Sequence, residues 1–417
     1  MKPKLAIVGT GIAGMSCAYL LHKTYDLTIY EKENYIGGHT NTIEVEEFGR
    51  PVPIDTGFMV YNHVTYPNLV RLFNELGVEE KDTSMTFSVQ HVPTQLEFCG
   101  TGLNGLFAQR KNMFDLNFIQ MLFQIDRFNR ECVEVIYDPR FADYTLAEYV
   151  KEKRFGKEML ERYLVPMSSA VWSTEPDHML EFPAITLVRF FKNHGFLGLN
   201  TQHQWKTLVG GSESYKTRLI QPFKDRIFTG RAARSVRRER AKVTVVDTHG
   251  AEQVYDEVIL ACHADQSLKL LSHPTDSEKR LLSAFSYQKN TATLHTDESV
   301  MPRTRRAWSS WNYRLQNGPG GKPEASTVYW MNSLQQVSEK RDYFVSINGA
   351  DQVNPDSILF QTEYEHPVFS LESHKAQKEL NTLNSTGPVY FCGSYFRYGF
   401  HEDALSSSIS LCESLLD

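Results

Sequence analysis

The chain begins with two short apolar runs on either side of a helical pattern. Leu5 to Val8 predicts a strand, Ile12 to His22 has the spacing of a helix, and Leu27 to Tyr30 predicts a second strand. A strand, a helix and a strand in this order form a βαβ unit, in which the two strands run parallel. The chain is therefore expected to have an α/β fold.

The middle of the chain, from about Tyr61 to Gln204, is dominated by helical patterns. Thr145 and Glu148 have the spacing of a capping box, which marks the start of a helix. One apolar helical face is formed by Phe118, Met121, Leu122, Ile125 and Phe128. These patterns predict a separate, mostly helical layer.

Strand patterns return in the second half of the chain. Residues 227–261 predict a β-meander with a turn at Thr248 to Gly250. Residues 292–364 contain several short aromatic and β-branched runs, which predict a second sheet. The chain ends with an apolar run at Val389 to Cys392 and a helical pattern from about Glu402.

The composition is that of an ordinary globular protein. Of the 417 residues, 41% are hydrophobic and 23% are charged, which suffices for the cores of two or three domains. The formal net charge of -6 gives no field that would attract a polyanion, so nucleic acid is not expected as a partner. The 14 histidines show no ligand spacing such as H-E-x-x-H, and no metal is expected.

Cysteine usage and charge patterning bear on localisation. The 6 cysteines are scattered without a C-x-x-C pair, which is typical of free thiols in a reducing compartment. The uncharged stretch from Leu5 to Leu21 is interrupted by three glycines, unlike a signal peptide. The arginine runs at 231–240 and 303–306 are interpreted either as charged strand edges or as a membrane-surface patch. A cytoplasmic protein is expected, with peripheral contact to the inner face of the membrane as an open alternative.

A glycine-rich turn joins the first predicted strand to the first helix. Gly9, Gly11 and Gly14 have the spacing G-x-G-x-x-G of dinucleotide-binding folds. The first glycine permits a tight turn, the second lets a pyrophosphate approach the backbone, and the third lets the helix pack on the strand. Ile12 and Ala13 are then expected to offer N–H groups at the helix N-terminus.

Glu31 follows at the end of the second predicted strand. A carboxylate at this place can accept both hydroxyl hydrogens of an adenosine ribose, and it would repel a 2′-phosphate. These residues predict a bound dinucleotide, but they do not distinguish NAD from FAD.

A second glycine pair, Gly37 and Gly38, continues into His39 and Thr40. With this pair the chain resembles the flavin amine oxidase superfamily, which includes monoamine oxidases, protoporphyrinogen oxidases and phytoene-type desaturases. The resemblance recurs, in the expected order, at Asp55–Gly57, Leu208–Ser212, Asp256–Ala261 and Gly393-Ser394 with Gly399–Ala404. Five motifs spread over the whole chain make this resemblance specific.

Three further segments resemble a narrower bacterial branch of the superfamily. They are Asn290–Asp297, His366–Phe369 and Gly399–Asp403. The branch consists of NAD/FAD-binding proteins associated with fatty-acid methyltransferases of the cyclopropane-synthase type. One activity that this resemblance implies is desaturation of methylated acyl chains.

The superfamily resemblance implies FAD as the cofactor. Covalent monoamine oxidases carry a cysteine in the strand that faces the flavin, and residues 361–370 contain none, so non-covalent FAD is expected. Beyond the glycine loop and Glu31, the implied cofactor contacts are Lys32, Gly38, His39, Thr40, Gly57, Val236, Gly393, Gly399, Phe400 and His401.

The resemblance also indicates candidate catalytic residues. Tyr364, His366 and Phe400 fall where aromatic residues of the superfamily stand against the flavin, although packing in the core is the alternative for each. Many members place a lysine near flavin N5. Here Lys289 and Asn290 are adjacent in the corresponding strand, and Asn290 is taken as the candidate while the inward-pointing residue stays undecided.

Together these features predict an FAD-dependent oxidoreductase of two interleaved domains. Residues 1–60, 205–288 and 386–417 are expected to form a Rossmann-type FAD-binding domain, and residues 61–204 and 289–385 a mixed helical and β-sheet substrate domain. The aromatic-rich composition favours an apolar, fatty-acyl substrate, oxidised by hydride transfer to flavin N5. Oxygen or a quinone would be the electron acceptor.

Three alternatives stay open at this point. A small amine could replace the acyl substrate, since aromatic residues beside the flavin also suit an amine oxidase. A non-catalytic, prenyl-binding protein of the same fold is a second alternative, which the intact glycine motifs disfavour. A nicotinamide dehydrogenase is the third, and the second glycine pair and the C-terminal segment both disfavour it.

Overall fold

The computed structural model describes residues 1–198, 201–318 and 323–416. The strands of these residues, numbered along the chain, are β1 (Lys4–Val8), β2 (Asp26–Tyr30), β3 (Thr42–Glu47), β4 (Arg50–Asp55), β5 (Tyr61–Asn62), β6 (Glu80–Thr83), β7 (Phe87–His91), β8 (Leu96–Cys99), β9 (Trp205–Leu208), β10 (Ile227–Phe228), β11 (Ala233–Glu239), β12 (Lys242–Asp247), β13 (Glu252–Tyr255), β14 (Glu257–Leu260), β15 (Ser286–His295), β16 (Trp311–Asn317), β17 (Pro323–Trp330), β18 (Phe344–Ile347), β19 (Ile358–Val368) and β20 (Val389–Phe391).

The α-helices of the same residues are α1 (Ile12–Leu21), α2 (Pro67–Leu76), α3 (Gly102–Leu106), α4 (Leu116–Glu131), α5 (Glu134–Tyr137), α6 (Leu146–Glu152), α7 (Lys157–Met159), α8 (Val165–Trp172), α9 (Pro176–Leu180), α10 (Ala184–Asn193), α11 (Glu213–Ile220), α12 (Ala264–Leu270), α13 (Asp276–Leu282), α14 (Met331–Leu334), α15 (Leu371–Gln377) and α16 (His401–Leu416). A π-helical turn, Leu160–Leu164, joins α7 to α8.

A five-stranded parallel sheet collects strands from distant parts of the chain, in the order β10-β2-β1-β14-β20. The βαβ unit predicted from the sequence is β1, α1 and β2, which confirms the α/β fold. Helices α1 and α16 pack against each other beside this sheet. The first and last elements of the chain therefore lie together.

The predicted β-meander is shorter than its sequence pattern. Strands β11, β12 and β13 form an antiparallel three-stranded sheet, but β14 leaves it and joins the parallel sheet beside β1. Val258 and Leu260 are buried there, because a central parallel strand is covered on both faces.

The second predicted sheet is a seven-stranded sheet in the order β19-β15-β18-β17-β16-β7-β8. Its strands β7 and β8 come from the middle of the chain, where the sequence patterns predicted mainly helices. That expectation was therefore incomplete, since β5 to β8 interrupt the helical layer. The capping box at Thr145 and Glu148 is confirmed, and the structure gives both of its hydrogen bonds.

The seven-stranded sheet and the parallel sheet are drawn from alternating segments of the chain. This arrangement is a mixed helix and sheet fold, as predicted. The exact division into an FAD-binding domain and a substrate domain stays a prediction. None of the helices within the described residues is long and apolar enough to span a bilayer.

Candidate functional site

The loop between β1 and α1 and the first turn of α1 leave no room for side chains at two of the three glycines of the G-x-G-x-x-G motif. A Cβ at Gly9, whose φ is +104°, would lie 2.7 Å from the Ala261 carbonyl oxygen, and a Cβ at Gly14 would overlap the Gly9 carbonyl oxygen. Gly11 differs, because a Cβ there would meet nothing within 4 Å. The N-terminus of α1 thus presents bare backbone, with the N–H groups of its first turn available to an anion.

The second glycine pair closes against this loop. Gly38 has a φ of +59°, and a Cβ there would lie 3.4 Å from the Cα of Gly11. The Gly37 N–H donates to the Thr10 hydroxyl at 3.2 Å. The two glycine segments therefore approach each other through backbone alone, and no side chain of either glycine pair covers the main-chain N–H groups that a pyrophosphate would contact.

Glu31 lies at the end of β2 with its carboxylate held in place. It is buried, and it accepts hydrogen bonds from the Thr10 N–H at 3.0 Å, from the Thr10 hydroxyl, and from the Glu33 N–H at 2.9 Å. Lys32 points outward, where its ammonium pairs with Glu33 at 3.5 Å. The structure thus brings Glu31 to the glycine loop and leaves Lys32 at the surface.

Gly57 supports the residue that follows the glycine pair. A Cβ at Gly57 would overlap the main-chain carbonyl of His39, and the Phe58 N–H donates to that same carbonyl at 2.8 Å. The lack of a side chain at Gly57 therefore allows the main chain of His39 to take its observed position.

A buried aspartate ties three distant segments to this region. The Asp55 carboxylate accepts from the Thr42 hydroxyl at 2.6 Å, from the Ser212 N–H at 2.9 Å, and from the Gln335 amide at 2.6 Å. Burial raises the pKa of Asp55, while these hydrogen bonds favour its ionised form. Gln335 could not be predicted as a partner of Asp55 from the sequence, because no local pattern marks a partner so far along the chain.

His39 and His366 form a histidine cluster with Tyr364 and Asn290. The His39 ring stacks on Tyr364 with 4.7 Å between centroids, and the rings of His39 and His366 are 5.1 Å apart. His39 Nε2 is buried and has no hydrogen-bond partner among the described residues. Burial holds the pKa of His39 well below its usual value, so the ring is neutral.

Asn290 is the inward-pointing residue of its strand. Its side chain is buried, its amide donates to His366 Nδ1 at 2.8 Å, and its Oδ1 accepts from the Asn348 amide at 2.8 Å. Lys289 is exposed and pairs with Glu363 at 3.5 Å. Burial lowers the pKa of His366 to about 4, so this part of the cluster is uncharged at neutral pH.

Tyr364 is fixed by its hydroxyl. The Asn41 amide donates to it at 3.0 Å, and the Thr56 hydroxyl lies 2.8 Å away. It stands opposite Asn290 in the pairing of β15 with β19. The structure therefore brings three of the four candidate catalytic residues together.

His401, the first residue of α16, stacks on Phe58 with 4.0 Å between centroids. Its Nε2 lies 3.2 Å from the Thr40 hydroxyl and 3.1 Å from the Tyr215 hydroxyl. Burial lowers the pKa of His401 to about 3, so the ring is neutral. Thr40 and His401, both predicted as cofactor contacts, are thus in direct contact with each other.

Two carboxylates at the start of α16 accept hydrogen bonds from the N-termini of different helices. Asp403 accepts from the Phe400 N–H at 2.9 Å and the Tyr398 N–H at 3.2 Å, so it caps α16. Burial raises the pKa of Asp403 to about 7. Glu402 instead accepts from the N–H groups of Asn68 at 3.0 Å and Leu69 at 2.9 Å, at the start of α2.

The two C-terminal glycines are required by contacts with protein. At Gly399, where φ is +94°, a Cβ would lie 3.1 Å from Pro367 and 3.3 Å from Phe369. At Gly393 a Cβ would lie 2.7 Å from the Tyr395 ring. Gly399 therefore joins the start of α16 to β19, the strand that carries His366.

Phe400 belongs to a group of aromatic side chains that we call the aromatic wall: Trp172, Phe182, Phe190 and Phe400. Phe400 stacks on Phe190 with 4.9 Å between centroids, and Trp172 lies 4.8 Å from Phe190 and 4.6 Å from Phe182. The Trp172 indole donates to the Tyr398 carbonyl at 3.1 Å. Phe182 packs edge-on to Phe369, next to the Gly399 contact, so the aromatic wall adjoins β19.

Val236 has a packing role in the structure. Its side chain is 1% exposed in an apolar cluster with Leu271, and its main-chain carbonyl accepts from the Ser272 N–H at 3.0 Å. The main-chain partner of Glu31 in this region is Arg231, whose N–H donates to the Glu31 carbonyl at 2.8 Å. A cofactor contact by Val236 stays a prediction.

Comparison with known proteins identifies a family and individual proteins whose sequences are similar to this chain. A family model described as flavin containing amine oxidoreductase matches residues 12–335. The chain is 24% identical over 199 residues to a 15-cis-phytoene desaturase of Synechococcus elongatus, a match that covers 45% of this chain and 41% of that protein. The chain thus matches less than half the length of this relative.

Two solved structures share the fold over the whole chain. Cyclohexylamine oxidase from Brevibacterium oxydans superposes with a TM-score of 0.69 and 15% identity, covering 100% of both chains. A fatty acid isomerase from P. acnes superposes with a TM-score of 0.71 and 13% identity, covering 100% of this chain and 99% of that one. At these identities the likeness shows the fold alone.

The matched family and its structural neighbours indicate FAD as the cofactor. Three features of the chain fit this molecule: the open backbone at Gly11, the close approach of Gly38 to it, and the buried His39 nitrogen, which has no hydrogen-bond partner within the described ranges. The first two can take the pyrophosphate, and the third supplies a buried polar atom that needs a partner.

Proposed function

Because this chain belongs to the family of flavin-containing amine oxidoreductases, we propose that it dehydrogenates an apolar, acyl-type substrate. The substrate would lie between the aromatic wall and the histidine cluster. When bound, FAD supplies the redox chemistry by accepting a hydride at N5. The protein then has to orient the substrate, exclude water and fix the polar groups around it.

The observation that carries this proposal is the combination of aromatic surfaces with uncharged polar groups. Burial keeps His39 and His366 neutral, and Asn290 carries no charge. Glu402 and Asp403, the carboxylates at the start of α16, accept main-chain N–H groups. A cationic amine would lose its hydration here without a free carboxylate in exchange, whereas an acyl chain requires only apolar contact.

The site also departs from the superfamily pattern of an amine oxidase. The strand position at which many members carry a lysine near N5 is occupied by Asn290, whose amide is engaged with His366 and Asn348. The oxygen chemistry associated with that lysine is therefore disfavoured. A quinone then becomes the better candidate for the electron acceptor, with oxygen as the alternative.

Similar proteins support the choice of an apolar substrate. They include a 15-cis-phytoene desaturase in sequence and a fatty acid isomerase in fold. The proposal is therefore that the protein desaturates an acyl chain. Methylated acyl chains, which the resemblance to the bacterial branch implies, are included among the proposed substrates.

We further propose which residues hold FAD. Gly11, Ile12, Ala13 and Gly38 would bind the pyrophosphate, and Glu31 the adenosine ribose. The N–H of His401, in the first turn of α16, would face the flavin pyrimidine ring, where reduction places negative charge. Residues 361–370 contain no cysteine, so the flavin would be held without a covalent bond.

A small amine is the second candidate substrate. The stacked pair of Phe190 and Phe400, 4.9 Å apart, gives a flat aromatic surface beside which a neutral amine could also bind. The fold likeness to cyclohexylamine oxidase is compatible with this alternative.

Anaerobic mixing distinguishes the two candidates. The holoprotein is mixed without oxygen with a methyl-branched and an unsaturated fatty acid, free and as phospholipids, and separately with cyclohexylamine and putrescine. We expect loss of the visible flavin absorbance with an acyl compound only. Bleaching by an amine alone would reverse the proposal. The Phe400→Ala variant should slow bleaching by the acyl substrate, because it removes one face of the aromatic wall.

A further inference from the structure

An exposed apolar surface lies on α3, on α4 and on the turn between them. Its members, which we call the apolar patch, are Leu103 (75% exposed), Met113 (49%), Phe114 (86%), Leu116 (79%) and Phe123 (71%). All five lie within one continuous stretch of the chain. Large apolar side chains gathered in this way mark an interaction surface, whereas scattered ones are ordinary.

Helix α4 carries two exposed apolar side chains in addition to its buried apolar face. Its inner face buries Phe118, Met121 and Phe128, and Phe118 packs edge-on to Phe98 of β8. Leu116 and Phe123 are seven residues apart, so they project from the same outer face, two turns from each other. A surface helix normally turns polar residues to water, and the exposed Gln120 between Leu116 and Phe123 fits this pattern, so it is these two apolar side chains that lack an apolar partner among the described residues.

Exposed cations border the apolar patch. Arg110 donates to the Phe107 carbonyl at 2.9 Å and to the Asn104 amide oxygen at 3.1 Å, which folds the Arg110–Lys111 turn back onto α3. The turn that contains Arg305 and Arg306 also packs against α3. It is fixed there because the Arg303 N–H donates to Glu97 of β8 at 2.8 Å.

Four of these cations are without an ion pair among the described residues: Arg110, Lys111, Arg303 and Arg306. Arg305 is different, since it pairs with Asp342 at 3.3 Å. The arginine run on the meander also differs, because Arg231, Arg237 and Arg238 pair with Asp247, Glu239 and Glu278. Three of the five meander arginines are thus paired, whereas Arg234 and Arg240, like the four cations beside the apolar patch, have no ion pair among the described residues. The four cations at the patch differ from these two because they border exposed apolar side chains.

We propose that the apolar patch and its four unpaired cations form a surface that binds an anionic phospholipid bilayer. The apolar side chains would enter the boundary between headgroups and acyl chains, and the cations would meet lipid phosphates. A second copy of the chain fits this surface poorly, because a symmetric contact would bring the same cations face to face. The inference is independent of which substrate is oxidised.

Vesicle sedimentation of the full-length holoprotein tests the proposal. The probes are vesicles of phosphatidylcholine alone and of phosphatidylcholine with phosphatidylglycerol. We expect binding to the mixed vesicles that weakens as salt screens the charges. The apolar variant Phe114→Ser/Leu116→Ser/Phe123→Ser should bind the mixed vesicles with an affinity that is lower by about tenfold or more, because it lacks the apolar side chains that would enter the bilayer. These side chains are exposed, so the variant should keep its thermal unfolding temperature.

Matched variants distinguish binding through this surface from non-specific adsorption to the vesicles. Phe48→Ser and Val254→Ser remove apolar side chains that are 74% and 54% exposed elsewhere, and they should bind as the wild type does. A charge variant, Arg110→Gln/Lys111→Gln/Arg303→Gln/Arg306→Gln, should lose the preference for phosphatidylglycerol. Arg234→Gln, on the meander, should keep it.

Insertion can also be measured directly. The Phe114→Trp variant should show more quenching of tryptophan fluorescence by lipids with brominated chains than the wild type shows. Failure of the wild type to bind either kind of vesicle would overturn the proposal. Equal losses in the control variants would overturn it as well. A wild-type dimer that the apolar variant converts to monomer would assign the surface to a second copy instead.

Discussion

Glu31 is held in place by the protein itself, because the Thr10 and Glu33 N–H groups and the Thr10 hydroxyl all donate to its carboxylate. Its spacing from the glycine loop predicts a ribose ligand, and the structure adds the partners that aim it. A carboxylate already fixed in this way loses little conformational freedom when a nucleotide binds.

The first prediction concerns this carboxylate. Glu31→Ala should weaken retention of FAD by about tenfold or more, since hydrogen bonds to a charged group are among the stronger ones. The flavin fluorescence released on dilution measures the effect. Glu33→Ala, which removes a neighbouring exposed carboxylate, is the control and should retain FAD as the wild type does. Equal retention by both variants would contradict the role of Glu31.

The second prediction concerns pH. Burial lowers the folded-state pKa of His401 to about 3 and of His366 to about 4, below the unfolded value near 6.5. Such groups stabilise the fold fully above pH 6.5, and their contribution is lost as the pH falls toward 4, because only the unfolded chain takes up the protons. Asp403 acts oppositely, since its pKa of about 7 means that its contribution is lost as the pH rises from about 4 to 7.

Urea unfolding at pH 7.5 and pH 5.5 separates these opposite contributions. In His401→Gln the free energy of unfolding should fall less on acidification than in the wild type, by on the order of 1 kcal/mol for each pH unit. In Asp403→Asn it should fall more, since the compensating group is gone. The same pH dependence in all three proteins would show that these groups titrate as they do in the unfolded chain.

Residue-level prediction from the sequence reached the neighbourhood of the site but not its orientation. Alternation along a strand puts Lys289 and Asn290 on opposite faces, yet which face is inward depends on the partner strand. Pairing of Asn290 with Tyr364 supplies that information. Likewise, the bond between Gln335 and Asp55 joins residues whose proximity only the folded chain creates.

At the scale of elements, the start of α16 holds the site together. Asp403 caps the helix, Glu402 reaches across to α2, and Gly399 packs on Pro367 of β19. Any shift of this turn would therefore move the main-chain N–H groups that we propose as hydrogen-bond donors to the flavin.

The third prediction tests that turn. Gly399→Val should give a folded protein with reduced FAD occupancy or a lowered flavin reduction potential, because its φ is +94° and a Cβ meets Pro367 and Phe369. Gly250→Val is the matched control. It has a φ of +80° with open space around the Cα, so it carries the backbone strain without the contact. Full occupancy and an unchanged potential in Gly399→Val would remove α16 from the site.

The fourth prediction concerns the link from α16 to α2. Glu402→Ala leaves the N–H groups of Asn68 and Leu69 without their acceptor, and should lower the free energy of unfolding by about 1–2 kcal/mol. Denaturant unfolding measures the loss. Glu413→Ala, at an exposed position of the same helix, should leave stability unchanged. Equal effects of the two substitutions would argue against the cap.

The elements that were predicted correctly have strong local signals. The glycine loop and apolar runs define β1, α1 and β2, and the capping box defines the start of α6. Strand β6, Glu80–Thr83, has no such signal, because its four residues are polar and its place is set by pairing with β9. A short polar strand depends on its partner, which no local pattern shows.

At the scale of the whole molecule, the order of the motifs predicted the interleaving of segments. The parallel sheet takes β1 and β2 from the start of the chain, β10 and β14 from its middle and β20 from its end. The sequence could not show that β7 and β8 join the same sheet as β15 to β19, since that pairing spans most of the chain. A long-range contact also links the two groups of candidate residues, because Gly399, next to Phe400 of the aromatic wall, packs on Pro367, next to His366 of the histidine cluster.

The most direct test of the account is mass spectrometry of the purified protein before and after denaturation. We expect a yellow protein that releases FAD on denaturation, leaves a polypeptide of unmodified mass, and carries a co-purified acyl compound. Such a result would show a non-covalent flavin beside an apolar site. A colourless protein that takes up no added FAD would contradict the account, and so would a flavin that stays attached to the denatured chain.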